Sequence, residues 1–184
     1  MLSLNSAQRV NYSIPKKVDG LVEATKQDQI NYSVLEGDVF FTRTSETIEE
    51  IGFASTCTQT IHNAVFAGFL IRFRPKKNML FKNYSKYFFR ATIHRAYFVK
   101  EVDLVTRASL GQGLLKGLPV TIPPLVEQEE ISCFLDVELA RRDSLISKAC
   151  TEIEKIEEYQ ESLITNVVTG KLKVPELNKT GALL

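Results

Sequence analysis

Hydrophobic and polar positions fall into two regimes along this chain, and the second is the more legible. Residues 118–122 (LPVTI) read as a short apolar strand, Pro123-Pro124 makes a rigid corner, and no Gly or Pro then occurs from Leu125 to Thr169. A helix over that span, at a rise of ~1.5 Å per residue, is about 65 Å long, several times the roughly 11-residue helix of ordinary globular proteins. From Ile146 the spacing alternates between three and four: Ile146, Ala149, Ile153, Ile156, Gln160, Leu163 and Val167 form a heptad stripe with one polar break at Gln160. Glu152, Glu154, Lys155, Glu157, Glu158 and Glu161 flank it, too polar a set for a helix buried all round. Acids at Glu127, Glu129 and Glu130 suit the positive end of a helix dipole, and Gly170 followed by Pro175 supplies a stop. The pattern therefore predicts one helix over 125–169 that serves as a pairing arm.

The first regime is mixed. Residues 34–43 read as a strand pair or one bent strand around a Glu36-Gly37-Asp38 turn; residues 68–73 alternate with Phe69, Ile71 and Phe73 on one face; residues 102–106 are a further candidate strand. Asn83 is placed to cap a helix through about Ala96, with Tyr84, Tyr87, Phe88 and Ala91 inward, and Ser109 to start another that ends at Gly117. The expected fold class is α+β: one mixed α/β domain over residues 1–122, a single long coiled-coil-forming α-helix within 123–174, and a tail over 175–184.

Charge sharpens that division. The formal net charge is +1, yet residues 1–122 hold 16 Lys/Arg against 10 Asp/Glu and residues 123–184 hold 7 against 12. Between Ile61 and Lys100 there are nine cations and no acid, interleaved with Phe73, Phe81, Tyr84, Tyr87, Phe88, Phe89, Tyr97 and Phe98. Such a block suits a phosphate-binding face, and Arg72, Arg74, Arg90 and Arg95 are its candidate contacts. For base reading the candidate is the polar run Thr42-Arg43-Thr44-Ser45-Glu46-Thr47 at the end of an apolar strand, because Arg can fork onto guanine and small hydroxyls suit phosphates or base edges. Arg107, Ser109 and Gln112 form a second candidate group at an expected helix start.

Catalytic chemistry finds little footing. Cys57, Cys133 and Cys150 are odd in number and lack CxxC spacing, which points to reduced thiols of a cytoplasmic protein and away from a disulfide framework or zinc site. No signal-peptide core and no 18-residue apolar run occurs. Gly111-Gln112-Gly113 with Gly117 is not a dinucleotide fingerprint, Thr169-Gly170-Lys171 lacks the upstream glycines of a P-loop, and Pro123-Pro124 has apolar neighbours where an adenine methyltransferase motif needs an Asn or Asp before and an aromatic after. His62 and His94 stand alone, and nothing near Cys57 activates it as a nucleophile. A non-catalytic chain with no metal site is expected.

One set of residues carries a resemblance. Pro123-Pro124-Leu125, Glu127-Gln128 with Ile131 and Leu135, Glu158-Tyr159, Leu163-Ile164 and Val168-Thr169-Gly170-Lys171, in that order and spacing, resemble the conserved region of type I restriction-modification specificity subunits. Residues 35–52 (LEGDVFFTRTSETIEEIG) are similar to the middle of a target recognition domain of that family. The resemblance implies a specificity subunit that binds double-stranded DNA and directs adenine methylation and cleavage by partner methyltransferase and restriction subunits. S-adenosylmethionine, ATP and magnesium would then sit on those partners and none on this chain. Family members normally carry two recognition domains, one for each half of a bipartite site. One domain and one arm imply either a half-size subunit acting as a homodimer or the C-terminal half of a disrupted gene. Such domains usually have a Trp near their start, whereas this chain has no Trp and only residues 1–36 ahead of Gly37, so an N-terminally incomplete domain is also expected. Apart from the resemblance, an assembly protein that uses its long helix as an interaction arm fits the same residues, as does a recognition module detached from a larger enzyme.

Overall fold

A computed structural model of the chain describes residues 12–14, 22–45, 50–101 and 108–174. Its centre is the apolar run Val39-Phe40-Phe41, whose three residues are all fully buried. A strand sends successive side chains to opposite faces, so an unbroken apolar run belongs to a strand covered on both sides. That strand, β2 (Val39–Thr42), is the middle of a three-stranded antiparallel sheet between β4 (Ala54–Thr56) and β6 (Leu70–Phe73). Phe41 lies opposite Ala54 and Ile71 in the two ladders. On one face Val39, Phe41 and Ile71 pack with Ile51, Phe89, Phe98, Leu110 and Leu118; on the other Phe40 and Leu70 pack with Ile14, Val34 and Cys57.

Two small antiparallel pairs flank this sheet: β1 (Ser33–Val34) with β5 (Ile61–Val65), and β3 (Thr44–Ser45) with β7 (Ala108–Ser109). The expected 34–43 strand pair is thus corrected: β1 and β2 follow each other across the Glu36-Gly37 turn but join different sheets. Gly37 takes φ +87, a left-handed conformation that suits glycine. The candidate strand at 102–106 lies outside the described residues, and the one expected at 118–122 is corrected to irregular chain, because Pro119 lacks the N–H a ladder needs and no described strand pairs with it.

Five helices accompany the strands among the described residues. α1 (Lys26–Asn31) starts on a Thr25/Asp28 capping box. The single helix expected from Asn83 to Ala96 is two, α2 (Lys82–Phe88) and α3 (Thr92–Glu101). Asn83 lies inside α2 and the capping position is Phe81, whose side chain makes no cap bond. The helix stops because Phe89, buried among Phe41, Phe73 and Phe88, and the Arg90-Ala91 turn redirect the chain. α4 (Gln112–Lys116) begins after Gly111 and ends at Gly117. Ser109 does not start it, because its ladder partner Thr44 and the buried Leu110 hold the chain extended to that point.

The long helix is present as expected: α5 runs Leu125–Val168, 44 residues. It stops where the sequence marks it, with Gly170 at φ +71 donating to Val167 O at 3.1 Å and Leu172 N reaching Asn166 O at 2.9 Å. These bonds close a Schellman-type end; Pro175 lies outside the described residues. By contact density one compact unit extends to Phe134, so the first turns of α5 belong with the sheet, and Leu135 onward forms the other unit. Within that second unit Ile146, Ile153 and Ile156 are more than half exposed, Leu163 is 37% exposed, Ala149 and Gln160 are exposed and Val167 is half-buried. No helix among the described residues is long and apolar enough to cross a membrane.

Candidate nucleic-acid interface

The two polar segments singled out as base readers turn out to be neighbours. β2 does not open into a loop after Thr42. Arg43 N donates to Phe69 O at 2.8 Å, its carbonyl accepts from Leu110 N at 2.7 Å, and the chain continues extended as β3, where Thr44 faces Ser109 and Ser45 faces Ala108. Thr42 is tied on its other side, donating to Phe53 O at 2.9 Å and accepting from Gly52 N at 3.0 Å. The expected polar loop is thus a supported strand edge. It is a better mount for recognition than a loop, because its backbone is fixed from both sides.

Along this ridge the side chains differ in availability. Arg43 is exposed, and its one described bond is a long 3.4 Å contact from Nη1 to Gly68 O. Ser109 and Gln112 are also exposed, and Thr42 and Thr44 are half-buried. Ser45 departs from the expectation: it is buried, and its hydroxyl donates to Glu50 Oε2 at 2.5 Å, an internal tie. Arg107 and Glu46 to Glu49, Thr47 among them, lie outside the described residues.

The four arginines expected on a phosphate face are engaged within the domain. Arg74 forms a fork with Asp38, Nε to Oδ1 at 2.6 Å and Nη2 to Oδ2 at 2.7 Å, and the Asp38 side chain is fully buried. Hydrogen bonding to that carboxylate holds the Arg74 guanidinium above its ordinary pKa. Arg72 donates to Ser33 O at 2.8 Å and lies over the Phe66 ring, and burial, then the neighbouring Arg74 charge, pulls its pKa down. Arg90 lies over Tyr12 and Phe53 and reaches Ala54 O; burial is the main cause that lowers its pKa. Arg95 stacks on the same Phe53 and donates to Ile51 O. An acid-free stretch of sequence is therefore not an acid-free region of space, since Asp38 comes from a different part of the chain.

Exposed cations gather at one cleft, which joins part of the acid-free block to α4. Lys76 and Lys116 are exposed and line the same cleft as Gln112, about 570 Å³ in volume, with Phe73, Met79, Leu115 and Ile122 among its walls and no acid in its lining. Lys76 belongs to the acid-free block, as do Arg72 and Arg74 in the same lining, whereas Lys116 comes from α4, remote in sequence and not singled out. Two of the remaining nucleophile and ligand candidates are tied internally, while His62 is exposed. His94 is buried, with Nδ1 2.7 Å from Phe88 O. Burial pushes the Cys57 thiol up to about 11, and its sulfur donates to Gln59 O.

The curated relative found by sequence comparison is the putative type I restriction enzyme MjaX specificity subunit of Methanocaldococcus jannaschii, 27% identical over 154 residues. That match covers 82% of this chain but 35% of the relative, so the chain spans about a third of the relative's length. The family model described as the type I restriction modification DNA specificity domain matches residues 6–155. That span takes in the sheet, the β3–β7 ridge and most of α5, and the chain belongs to the type I restriction modification DNA specificity domain family.

Proposed function

We propose that this chain is the sequence-reading component of a type I restriction-modification assembly, with the β3–β7 ridge as its base-reading edge. The observation that carries the reading is that two segments nominated separately, 42–47 and 107–112, are joined by a strand ladder, so that Arg43, Thr44, Ser109 and Gln112 come from one ridge. Arg43 would supply the forked contact to a guanine edge, Gln112 an amide suited to adenine, and Ser109 and Thr44 contacts to either base or phosphate. Lys76 and Lys116, which line one cleft with Gln112, would supply most of the sequence-independent phosphate contacts, because Arg72, Arg74, Arg90 and Arg95 are bonded within the domain.

In this reading the chain performs no chemistry. Methyltransferase subunits methylate adenine with S-adenosylmethionine, and a restriction subunit cleaves with ATP and magnesium. The α5 stripe from Ile146 to Val167 pairs with a second copy or docks a methyltransferase subunit, so that two reading domains address the two halves of a bipartite site. The decisive experiment maps methylated adenines in a strain that carries Arg43→Ala. Relaxed choice at one position of the methylated motif, with non-specific DNA affinity unchanged, is the expected result. An unchanged motif at unchanged occupancy removes the ridge from base reading.

A further inference from the structure

Gln128 entered the sequence reading only as half of the Glu127-Gln128 pair after the proline corner, and base reading gives it no role. In the structure it is the most completely satisfied polar side chain near the start of α5. It is fully buried. Its Oε1 accepts from Phe81 N at 2.7 Å, and its Nε2 donates to Pro123 O at 2.8 Å and Met79 O at 3.2 Å. Phe81 is the capping position of α2 and has no side-chain cap of its own, so an amide from another helix supplies the acceptor that its N–H faces.

A helix held to a domain only by apolar contact would carry a Leu or Ile at such a position. Apolar contacts tolerate sliding and rotation, whereas three directional bonds from one amide are satisfied in a single register. An apolar substitute would also strip these bonds from buried backbone groups, a cost that opposes any shifted arrangement. One turn on, the buried Ser132 hydroxyl donates to Glu129 O within the same helix, and Ile131 and Leu135 are half-buried. Gln128 is thus the described side chain of this helix root that reaches α2 and the segment before it through hydrogen bonds.

We propose that Gln128 is a positioning residue: it fixes the root of α5 to the reading domain, so that reading domains brought together by pairing hold one half-site spacing. This rests on the reading of a bipartite site given above. With a fixed root, the second domain's effective concentration is high at one spacing and low at its neighbours; with a loosened root it spreads over several.

The test uses the full chain and duplexes selected from a random-sequence library on the wild-type protein, then rebuilt with the spacer lengthened or shortened one base pair at a time. Gln128→Met keeps the volume and removes all three bonds; Gln128→Glu keeps an acceptor for Phe81 N and removes both donors. Expected for Gln128→Met is affinity for an isolated half-site within about twofold of wild type, with the preference for the best spacer over its neighbours reduced about tenfold, and Phe81 amide exchange accelerated. Gln128→Glu should fall between. A wild-type spacer preference together with a fast-exchanging Phe81 amide overturns the proposal and leaves the base-reading assignment standing. If wild type shows no spacer preference at all, the bipartite reading fails and the spacing role falls with it. Should Gln128→Met not fold, Phe81→Pro removes the same N–H from the other side, at a φ of −75 that proline adopts, and carries the half-site and spacer expectations; a wild-type spacer preference in it overturns the proposal.

Discussion

Arg74→Ala separates an arginine that holds the fold from one that holds DNA, and the structure sets its size. Each oxygen of the buried Asp38 carboxylate receives one guanidinium N–H, at 2.6 and 2.7 Å, and Oδ2 also receives Leu35 N at 2.8 Å. Removing Arg74 leaves that carboxylate with a single described donor and no paired cation. Breaking a buried ion pair from one side costs about 3–5 kcal/mol. Here the Arg74 side chain remains 39% exposed, so water screens part of the interaction and the expected loss is about 2–3 kcal/mol. For a domain of this size that lowers Tm by about 8–12 °C. Arg74→Lys should lose roughly half as much, since a point charge cannot reproduce the fork. Thermal and urea unfolding of the full chain measure both, and a double-mutant cycle with Asp38→Asn isolates the pair. The protein that remains folded should bind non-specific DNA with an unaltered salt dependence. A wild-type Tm combined with a salt slope reduced by about one unit would refute the reasoning, because Arg74 would then be a phosphate contact.

Other consequences are as direct. Gly52 has φ +67, and a Cβ there would lie 2.5 Å from the buried Phe98 ring; Gly52→Ala should cost about 2–4 kcal/mol, read from the urea midpoint. Lys76→Gln with Lys116→Gln should weaken binding to all duplexes alike and flatten the salt slope by about two units in a titration from low to moderate salt. Ile153→Asp with Ile156→Asp should abolish association through α5 in sedimentation while the melting of the sheet domain is kept, because both residues are exposed and lie outside the sheet unit. Burial raises the Cys57 pKa, which disfavours the thiolate below about 11; at pH 8 only about a thousandth is ionised, so alkylation followed by mass spectrometry should label the exposed Cys133 and Cys150 and spare Cys57 until the chain is unfolded.

What was legible in the sequence followed from patterns that tertiary contacts reinforce. α5 is nearly as expected because forty-odd residues without a breaker leave no competing structure, and Gly170 closes it by a local bond pattern. A strand within 34–43 was expected and β2 lies there, though its burial on both faces came only with the structure. The failures lie where the deciding partner is distant. Two-residue strands such as β1, β3 and β7 have no periodicity to detect, and their existence depends on Val65, Ser109 and Thr44 arriving opposite them. Asn83 looked like a cap by residue type, yet Gln128 supplies an acceptor to the capping residue Phe81, a bond no local pattern encodes. At the candidate site the residue types of the ridge were readable, but their union was not, because it runs through a ladder between segments more than sixty residues apart.

The cations of the first part of the chain divide by type. Arginine's planar, weakly hydrated fork can be brought against protein at modest cost, and here Arg72, Arg74, Arg90 and Arg95 bond carbonyls or a carboxylate, or stack on Phe53, Phe66 and Tyr12. Lysine's compact ammonium is more strongly hydrated and stays outside, as Lys76, Lys77, Lys100 and Lys116 do. An excess of cations in the first part of the chain therefore serves two ends. The arginines brace the sheet from which the ridge extends, and in the proposed function the lysines set the field that a phosphate backbone meets. Arg43 departs from this division: it is an arginine left exposed at the junction of two sheets, its backbone fixed by Phe69 and Leu110 and its guanidinium held by only a 3.4 Å contact among its described bonds. A rigidly mounted, exposed fork on a ridge with few internal ties is the arrangement that base discrimination requires, and that is why Arg43, more than the denser basic block, bears the weight of the functional reading.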